Sequence, residues 1–494
     1  MERLSGLDAS FLYLETPNLH MHVAMAMSFD PSTVPGGYSF AKMQAQIAAR
    51  TFQAPVFRRL LVEVPFRLGH PVWIDDPDFD IGYHVRRAAV PSPGGLRELG
   101  DLAGDIASRK LDRSRPLWEM WIVEGLEDGC IALIIKMHHS TVDGLSGAAL
   151  LSVLFDFEPD PGPEPAPPEI VAAPLPSKSV LVSEAVAART MRPLELTKDL
   201  VRTAQRLLDV RRVRNEPEHR SPLARAALPL SAPRTSFNGA LTRRRQVALT
   251  AIGLDDVKRL KKATDSTVND VVLAVCTGAL RQLLIDGDEL PDKSLVAVVP
   301  VSVQPDVGAP HGSNKVSQMF VQMPVHLDEP LDRLEAIREG TKGAKEEHHA
   351  LGADTLQNWA EHATPNTFAA AARLYSRMRL ADHHRPIANL IFSNVPGPDF
   401  PLYLAGAEMT SGFPLGPVMD GLGPNITIMS YRGVLYWGII ACPESMPGGW
   451  QLAAYVPGAL DDLLAAAGEA PAEFRSAAAA EAVEASGIHL DLPR

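Results

Sequence analysis

The sequence predicts a mixed α/β fold of α+β character, built as two halves joined by a long connection. Two observations predict it. Strand-period and helix-period segments are interspersed along the chain, and the same mixture occurs on both sides of a single break in composition. That break begins at Phe157, where FEPDPGPEPAPPEIVAAPLP places prolines at 159, 161, 163, 165, 167, 168, 174 and 176. Proline this dense removes backbone donors and favours extended chain, so the segment reads as a linker. At 494 residues, and roughly 150 per domain, the chain has room for two or three domains. We divide it into an N-terminal domain over 1–158, a linker with connecting helices over 159–232, and a C-terminal domain over 233–494.

In the first half, helical patterns lie at Ser39 to Thr51 and Leu96 to Leu111. Strand patterns lie at His20 to Phe29, Leu117 to Glu124 and Ile131 to Met137. A helical stretch from about Ser179 to Val213, broken at Pro193, follows the prolines. Its late part, LVRTAQRLLDVRRVR, segregates apolar residues from Arg202, Arg206, Arg211, Arg212 and Arg214, as a solvated or lipid-resting helix would. In the second half, strands are expected at Arg244 to Leu249, Leu295 to Val303, Val316 to Val325, Asn389 to Ser393, Asn425 to Tyr431 and Val434 to Ala441. Helices are expected at Gly253 to Thr264, Val268 to Asp286, Leu331 to Ala350 and Thr367 to Leu380, with an Ala-rich helix near the end. No short-period repeat is evident.

Apolar residues make up 46% and charged residues 21%, which excludes a mostly disordered chain. The net charge of −12 disfavours a nucleic-acid binder, so any anionic ligand must meet a local basic patch. Cys130, Cys276 and Cys442 are too scattered for a disulfide framework or zinc ribbon. No metal site is expected: His20, His22 and Asp30 are loosely spaced, and adjacent histidines on a strand face opposite ways. The opening MERLSGLDASF lacks the apolar core of a signal peptide, and runs such as VVLAVC from Val271 read as too short to span a bilayer. The expectation is a cytoplasmic protein, with peripheral attachment to membrane or lipid droplets left open.

The informative segment is IALIIKMHHSTVDGLSGAALLSVL, from Ile131 to Leu154. A short buried strand delivers His138 and His139, then Asp143 and Gly144 in an HHxxxDG spacing, then an amphipathic helix. Histidine titrates nearest neutrality and so accepts and returns a proton at cellular pH. Gly144 removes a Cβ where the backbone turns or admits substrate. Two satisfied core histidines would be the bland alternative for a bare HH pair. The pairs at His348-His349 and His383-His384 act as internal controls, because neither combines a strand, this spacing and a following helix.

This segment resembles the bacterial wax ester synthase/diacylglycerol acyltransferase family, within the wider group of CoA-dependent acyltransferases and condensation domains. The resemblance runs through LSGLDASFLYLE, MHVAM, Pro116-Leu117-Trp118, PRTSFNG from Pro233, Asn269-Asp270 of NDVVLA, PVS at Pro300 to Ser302 and SNVPGP from Ser393. It implies two chloramphenicol-acetyltransferase-like domains with a substrate tunnel between them, and an alcohol attacking the thioester of acyl-CoA. His139 would be the general base, with His138 packing within the loop and Asp143 supporting its shape. Asn269 is the leading candidate for stabilising the oxyanion, with Asp270 in support; a cap for the following helix is the alternative role for Asn269. Pro116, Leu117 and Trp118 are associated by resemblance with the acyl pocket, although a tryptophan there is more often core than ligand contact, and Asn394, Pro396 and Gly397 with a rigid turn near the tunnel. The implied partners are acyl-CoA as substrate, with no cofactor, and diacylglycerol or a long-chain alcohol. Other acceptors, as in polyketide-associated enzymes, or a weakly active lipid-droplet scaffold, remain as alternatives. Arg243 to Arg245 and the Lys258, Arg259, Lys261, Lys262 cluster are the nearest basic groups for CoA phosphates.

Overall fold

The computed structural model describes residues 1–142, 147–160, 162, 176–189, 227, 230–303, 315–351, 365–472 and 474. The Pro-rich run, the Arg-rich segment beyond residue 189, and Asp143 and Gly144 therefore fall almost wholly outside the described residues.

Two six-stranded mixed sheets form the body. The first runs β12 (Tyr403–Leu404), β13 (Ala407–Leu415), β2 (His22–Asp30), β7 (Ile131–His138), β6 (Trp118–Glu124), β5 (Val85–Ala89). The second runs β10 (Lys315–Met323), β9 (Leu295–Val303), β11 (Leu390–Val395), β14 (Asn425–Tyr431), β15 (Val434–Ala441), β8 (Gln246–Gly253). A small sheet joins β1 (Glu2–Arg3), β4 (Val72–Asp75) and β3 (Arg59–Val62). Every residue of β7 is buried, as a central strand covered on both faces requires. Its register sets His138 opposite His22 on β2.

The helices are α1 (Gly6–Leu14), α2 (Phe40–Thr51), α3 (Ile81–His84), α4 (Leu96–Ala107), α5 (His139–Val142), α6 (Gly147–Leu154), α7 (Lys178–Arg189), α8 (Leu254–Ala263), α9 (Val268–Asp286), α10 (Pro330–Leu351), α11 (Pro365–Arg377) and α12 (Gly449–Ala466). Ser39 caps α2 by accepting from the Lys42 N–H, which fixes the start expected from sequence. Helix α9 has the bounds expected and is long and apolar enough to cross a membrane, contrary to the sequence reading of this stretch. Most of it is nevertheless buried, packed against α8, α10 and α12, so within this fold it is a core helix.

A cut between 1–158 and 233–494 does not separate the sheets. Strands β12 and β13, from the second half of the chain, complete the first sheet, with β13 hydrogen-bonded to β2 from Glu408–Asp30 to Leu415–Ala24. Strand β13 also packs against β14 and β15, so it couples both sheets. Helix α4 crosses in the other direction and lies on β8. It fits there because it presents glycines: a Cβ at Gly100 would lie 2.8 Å from the Val247 carbonyl oxygen, and one at Gly104 2.7 Å from that of Arg245. The segment Asp156 to Phe157 is held by Gln46 and Arg50 of α2, both of which donate to the buried Asp156 carboxylate.

Candidate active site

The site is built where β7 ends. The His138 N–H donates to the Leu117 carbonyl at 2.9 Å and the His139 N–H to the Met21 carbonyl at 2.8 Å. The strand terminus is thus clamped from both neighbours, β6 and β2. Met21 sits in the left-handed region, φ 50°, just before β2. The Thr141 hydroxyl donates to the His138 carbonyl at 2.6 Å and closes the first helical turn of α5.

The two histidines then diverge. His138 is buried, and its Nδ1 accepts the Ser140 backbone N–H at 3.2 Å with the Ser140 hydroxyl at 2.7 Å. A backbone N–H can only donate, so Nδ1 is unprotonated and the ring proton lies on Nε2, 3.9 Å from the Glu15 carboxylate. Burial pushes this imidazole down to about 3, with Arg113, His139 and Lys110 acting in the same direction and Glu15 opposing. His138 is therefore a neutral structural ring. His139 is half-buried, and its ring lies 4.1 Å from that of Phe11 on α1. Of the pair, only His139 is partly accessible, on the first turn after the strand.

Around them is a polar layer that motif reading missed. Glu15 accepts from Lys110 at 2.9 Å and from Arg113, and its carboxyl is held below its usual range because these cations and His138 outweigh burial. Lys136, fully buried on β7, donates to the carbonyls of Ile106 and Arg109 at 2.8 Å each and pairs with Glu119 at 2.6 Å. His22 and His20 complete the layer, with ring centroids 6.2 Å from His138 to His22 and 5.4 Å from His22 to His20. Burial lowers His20 to about 4 and His22 well below the ordinary imidazole value. The one sequence clue was Glu15, the last residue of LSGLDASFLYLE; nothing local marks a lysine in an apolar strand as paired.

The remaining predicted residues are placed as follows. Pro116, Leu117 and Trp118 are all buried. Leu117 supplies the carbonyl that fixes His138, and Trp118 is enclosed as its residue type suggests: its indole packs on Phe57 and His84 and its N–H donates to the Phe57 carbonyl at 2.7 Å. Asn269 is half-buried at the second position of α9, and the cap is not Asn269 but Thr267, whose hydroxyl accepts from the Asp270 N–H. Asp270 closes the reciprocal bond to the Thr267 N–H at 2.9 Å and accepts from Thr341 of α10 at 2.7 Å, so it anchors the helix start. Asn394 lies half-buried on β11 and Pro396 is exposed. Gly397 donates its N–H to the Ser430 hydroxyl at 3.1 Å, and a Cβ there would overlap the Ser430 carbonyl oxygen. The basic clusters are largely engaged elsewhere: buried Arg245 donates to the carbonyls of Asn18, Thr242 and Arg244, and Arg259 pairs with Asp256. Asp143 and Gly144 lie outside the described residues.

Two coupled mixed sheets, with a half-buried histidine following a locked one at the end of a central strand, define an acyltransferase of the CoA-dependent and condensation-domain fold. The family models agree: the wax ester synthase/diacylglycerol acyltransferase catalytic domain matches residues 4–272 and the WS/DGAT C-terminal domain residues 312–464. The chain belongs to the wax ester synthase/diacylglycerol acyltransferase family, and it is an acyltransferase. A Mycobacterium tuberculosis protein (strain CDC 1551 / Oshkosh) named as a diacylglycerol O-acyltransferase is 41% identical over 472 residues, covering 95% of this chain and 92% of its own. A second from that strain, also so named, is 33% identical and is covered over its full length. Among solved structures, the wax ester synthase/diacylglycerol acyltransferase from Marinobacter aquaeolei VT8 has a TM-score of 0.65 at 28% identity, with 94% of this chain and 100% of that chain covered. The starter condensation domain of rhizomide synthetase shares the fold, with a TM-score of 0.53 at 13% identity over 95% of each chain.

Proposed function

We propose that the protein transfers an acyl group from acyl-CoA to the hydroxyl of diacylglycerol, giving triacylglycerol and free CoA, and that long-chain alcohols also serve, giving wax esters. The observation that carries this reading is the division between His138, locked neutral and buried, and His139, half-open on the first turn beyond β7. His139 takes the hydroxyl proton as the alcohol oxygen bonds to the thioester carbon. The tetrahedral intermediate then expels sulfur, the C–S bond breaks, and the imidazolium returns the proton to the leaving thiolate. The chemistry uses no covalent acyl-enzyme and no cofactor. Asn269, by the family resemblance, donates to the carbonyl oxygen as charge develops there. Asp143 and Gly144 belong, by the family resemblance, to the same motif as His139, while Asn394, Pro396 and Gly397 border the route between the sheets through which substrates reach it. The acceptor is presented by a lipid surface that the protein meets peripherally from the cytoplasm.

Purified protein given labelled acyl-CoA with either diacylglycerol or a panel of alcohols tests both the activity and the acceptor. His139→Ala should lower turnover roughly 10²–10⁴-fold, the range for losing a general base. Full turnover in that variant would remove His139 from the role.

A further inference from the structure

One corner of the surface combines features that the chemistry above does not use. Pro65, Phe66 and Arg67 form an exposed tip in which Phe66 and Arg67 both hold left-handed backbone, φ 58° and 51°. That conformation is disfavoured for a bulky side chain, yet it directs an aromatic ring into solvent: Phe66 is 83% exposed. The tip is pinned to the start of α11, where the Asn366 amide donates to the Phe66 carbonyl at 3.2 Å. Helix α11 buries Pro365, Ala369 and Ser376 against the body. At about 100° per residue, Leu374 and Met378 then point away from that face, and they are 56% and 54% exposed. Arg373 and Arg377 flank them on the side facing the tip, and α11 carries no acidic residue.

Between tip and helix lies a shallow cleft, lined in part by Tyr13, Glu63, Arg67, Arg113 and Arg373. Of the three guanidiniums there, Arg67 lies 3.2 Å and Arg113 3.3 Å from Glu63, and Arg113 also pairs with Glu15 behind it, so the basic excess of this corner lies with Arg373 and the neighbouring Arg377. In a protein of net charge −12 this corner is locally basic and apolar at once. A basic cleft rimmed by outward-facing Phe, Leu and Met matches a phosphate-bearing, acyl-cored surface better than it matches bulk water. The corner is also one layer from the chemistry. Phe368 and Ala369 of α11 pack with Tyr13 and Leu12 of α1, the helix whose Phe11 covers His139.

We infer that the Phe66 tip and the outer face of α11 form the docking face for an anionic lipid surface. Phe66, Leu374 and Met378 enter the acyl boundary, and Arg67, Arg373 and Arg377 meet headgroup phosphates. This deepens the proposed use of a lipid-borne acceptor, but its test is read without turnover. The result at His139 and the result here therefore stand or fall separately.

The test is flotation of the full-length protein with vesicles of phosphatidylcholine alone and of phosphatidylcholine containing phosphatidylglycerol. Wild type should float with the anionic vesicles and less with the neutral ones. Arg373→Gln with Arg377→Gln should weaken anionic partitioning about 25-fold, at about fivefold for each charge near the surface. Leu374→Ser with Met378→Ser should weaken it at least about tenfold on vesicles of either composition. Both pairs are exposed, so unchanged melting curves are expected and show that the fold is retained. Wild type that does not float, or either double variant floating like wild type, overturns the inference. So does light scattering that shows wild-type pairing abolished by Leu374→Ser with Met378→Ser, which would give the face to a second copy of the chain.

Discussion

Lowering the pH from 8 to 5 should cost the folded protein about 6 kcal/mol, through three imidazoles that the fold keeps neutral. His20, His22 and His138 are buried, with His138 held at about 3, His20 at about 4 and His22 well below the ordinary 6.5. In the unfolded chain each titrates normally, so between these values unfolding takes up protons. The stability that each contributes is therefore complete above about pH 6.5 and is lost as the pH falls toward the folded values. At pH 5, about 1.5 units below the unfolded value, each ring gives up about 2 kcal/mol at 1.36 kcal/mol per unit. The rings are neighbours, so a charge on one opposes a charge on the next and all three stay neutral together. His84, lowered by burial, acts with the same sign, and Glu15 joins only below the usual carboxylate range, where its stabilisation is lost on protonation. The total is comparable to the whole stability of an ordinary domain, about 5–15 kcal/mol. Chemical denaturation at pH 8, 6.5 and 5, with proton uptake measured alongside, reads the effect. Equal midpoints at pH 8 and 5, or imidazole resonances of the folded protein titrating near 6.5 at these three positions, would refute the reasoning.

Other substitutions probe individual contacts. Lys136→Met strands Glu119 and the carbonyls of Ile106 and Arg109, and should cost about 3–5 kcal/mol by thermal denaturation; adding Glu119→Gln should recover part of it. Gly104→Ala gains about 1 kcal/mol of helix propensity but drives a methyl against the Arg245 carbonyl. Overpacking of about 1–3 kcal/mol should make the net effect a lower melting temperature, so a higher one would show that α4 is free to shift on β8. Thr267→Ala should lose about 1 kcal/mol with the cap of α9. Asn269→Ala, by contrast, should leave stability within about 0.5 kcal/mol while lowering turnover about 10²-fold or more; a melting change without a turnover change would reverse the two assignments.

The elements legible from sequence are those whose pattern is local. Helix α9 was bounded correctly because a Thr cap and an apolar run both lie within the segment, and β7 was found because a strand buried on both faces is apolar throughout. The strands that were missed depend on partners elsewhere. Strand β13 carries Gly412 and Pro414 in its interior, which lowers any local strand signal, and only pairing with β2 makes it a strand. Helix α12 was hidden in the same way by Pro457 inside it.

The candidate site divides along the same line. The HHxxxDG spacing, its strand and the motif order are properties of neighbouring residues, so the sequence alone singled out His138 and His139 and carried the family resemblance that implies the reaction class. That Glu15, Lys110 and Arg113 stand beside His138, that Lys136 pairs with Glu119, and that Trp118 stacks on Phe57 and His84 were decided only in three dimensions. The physical reason is that burial and charge environment depend on what lies across space. The cations around Glu15 and the layer of buried histidines are assembled from separate elements, and no window of consecutive residues contains that environment.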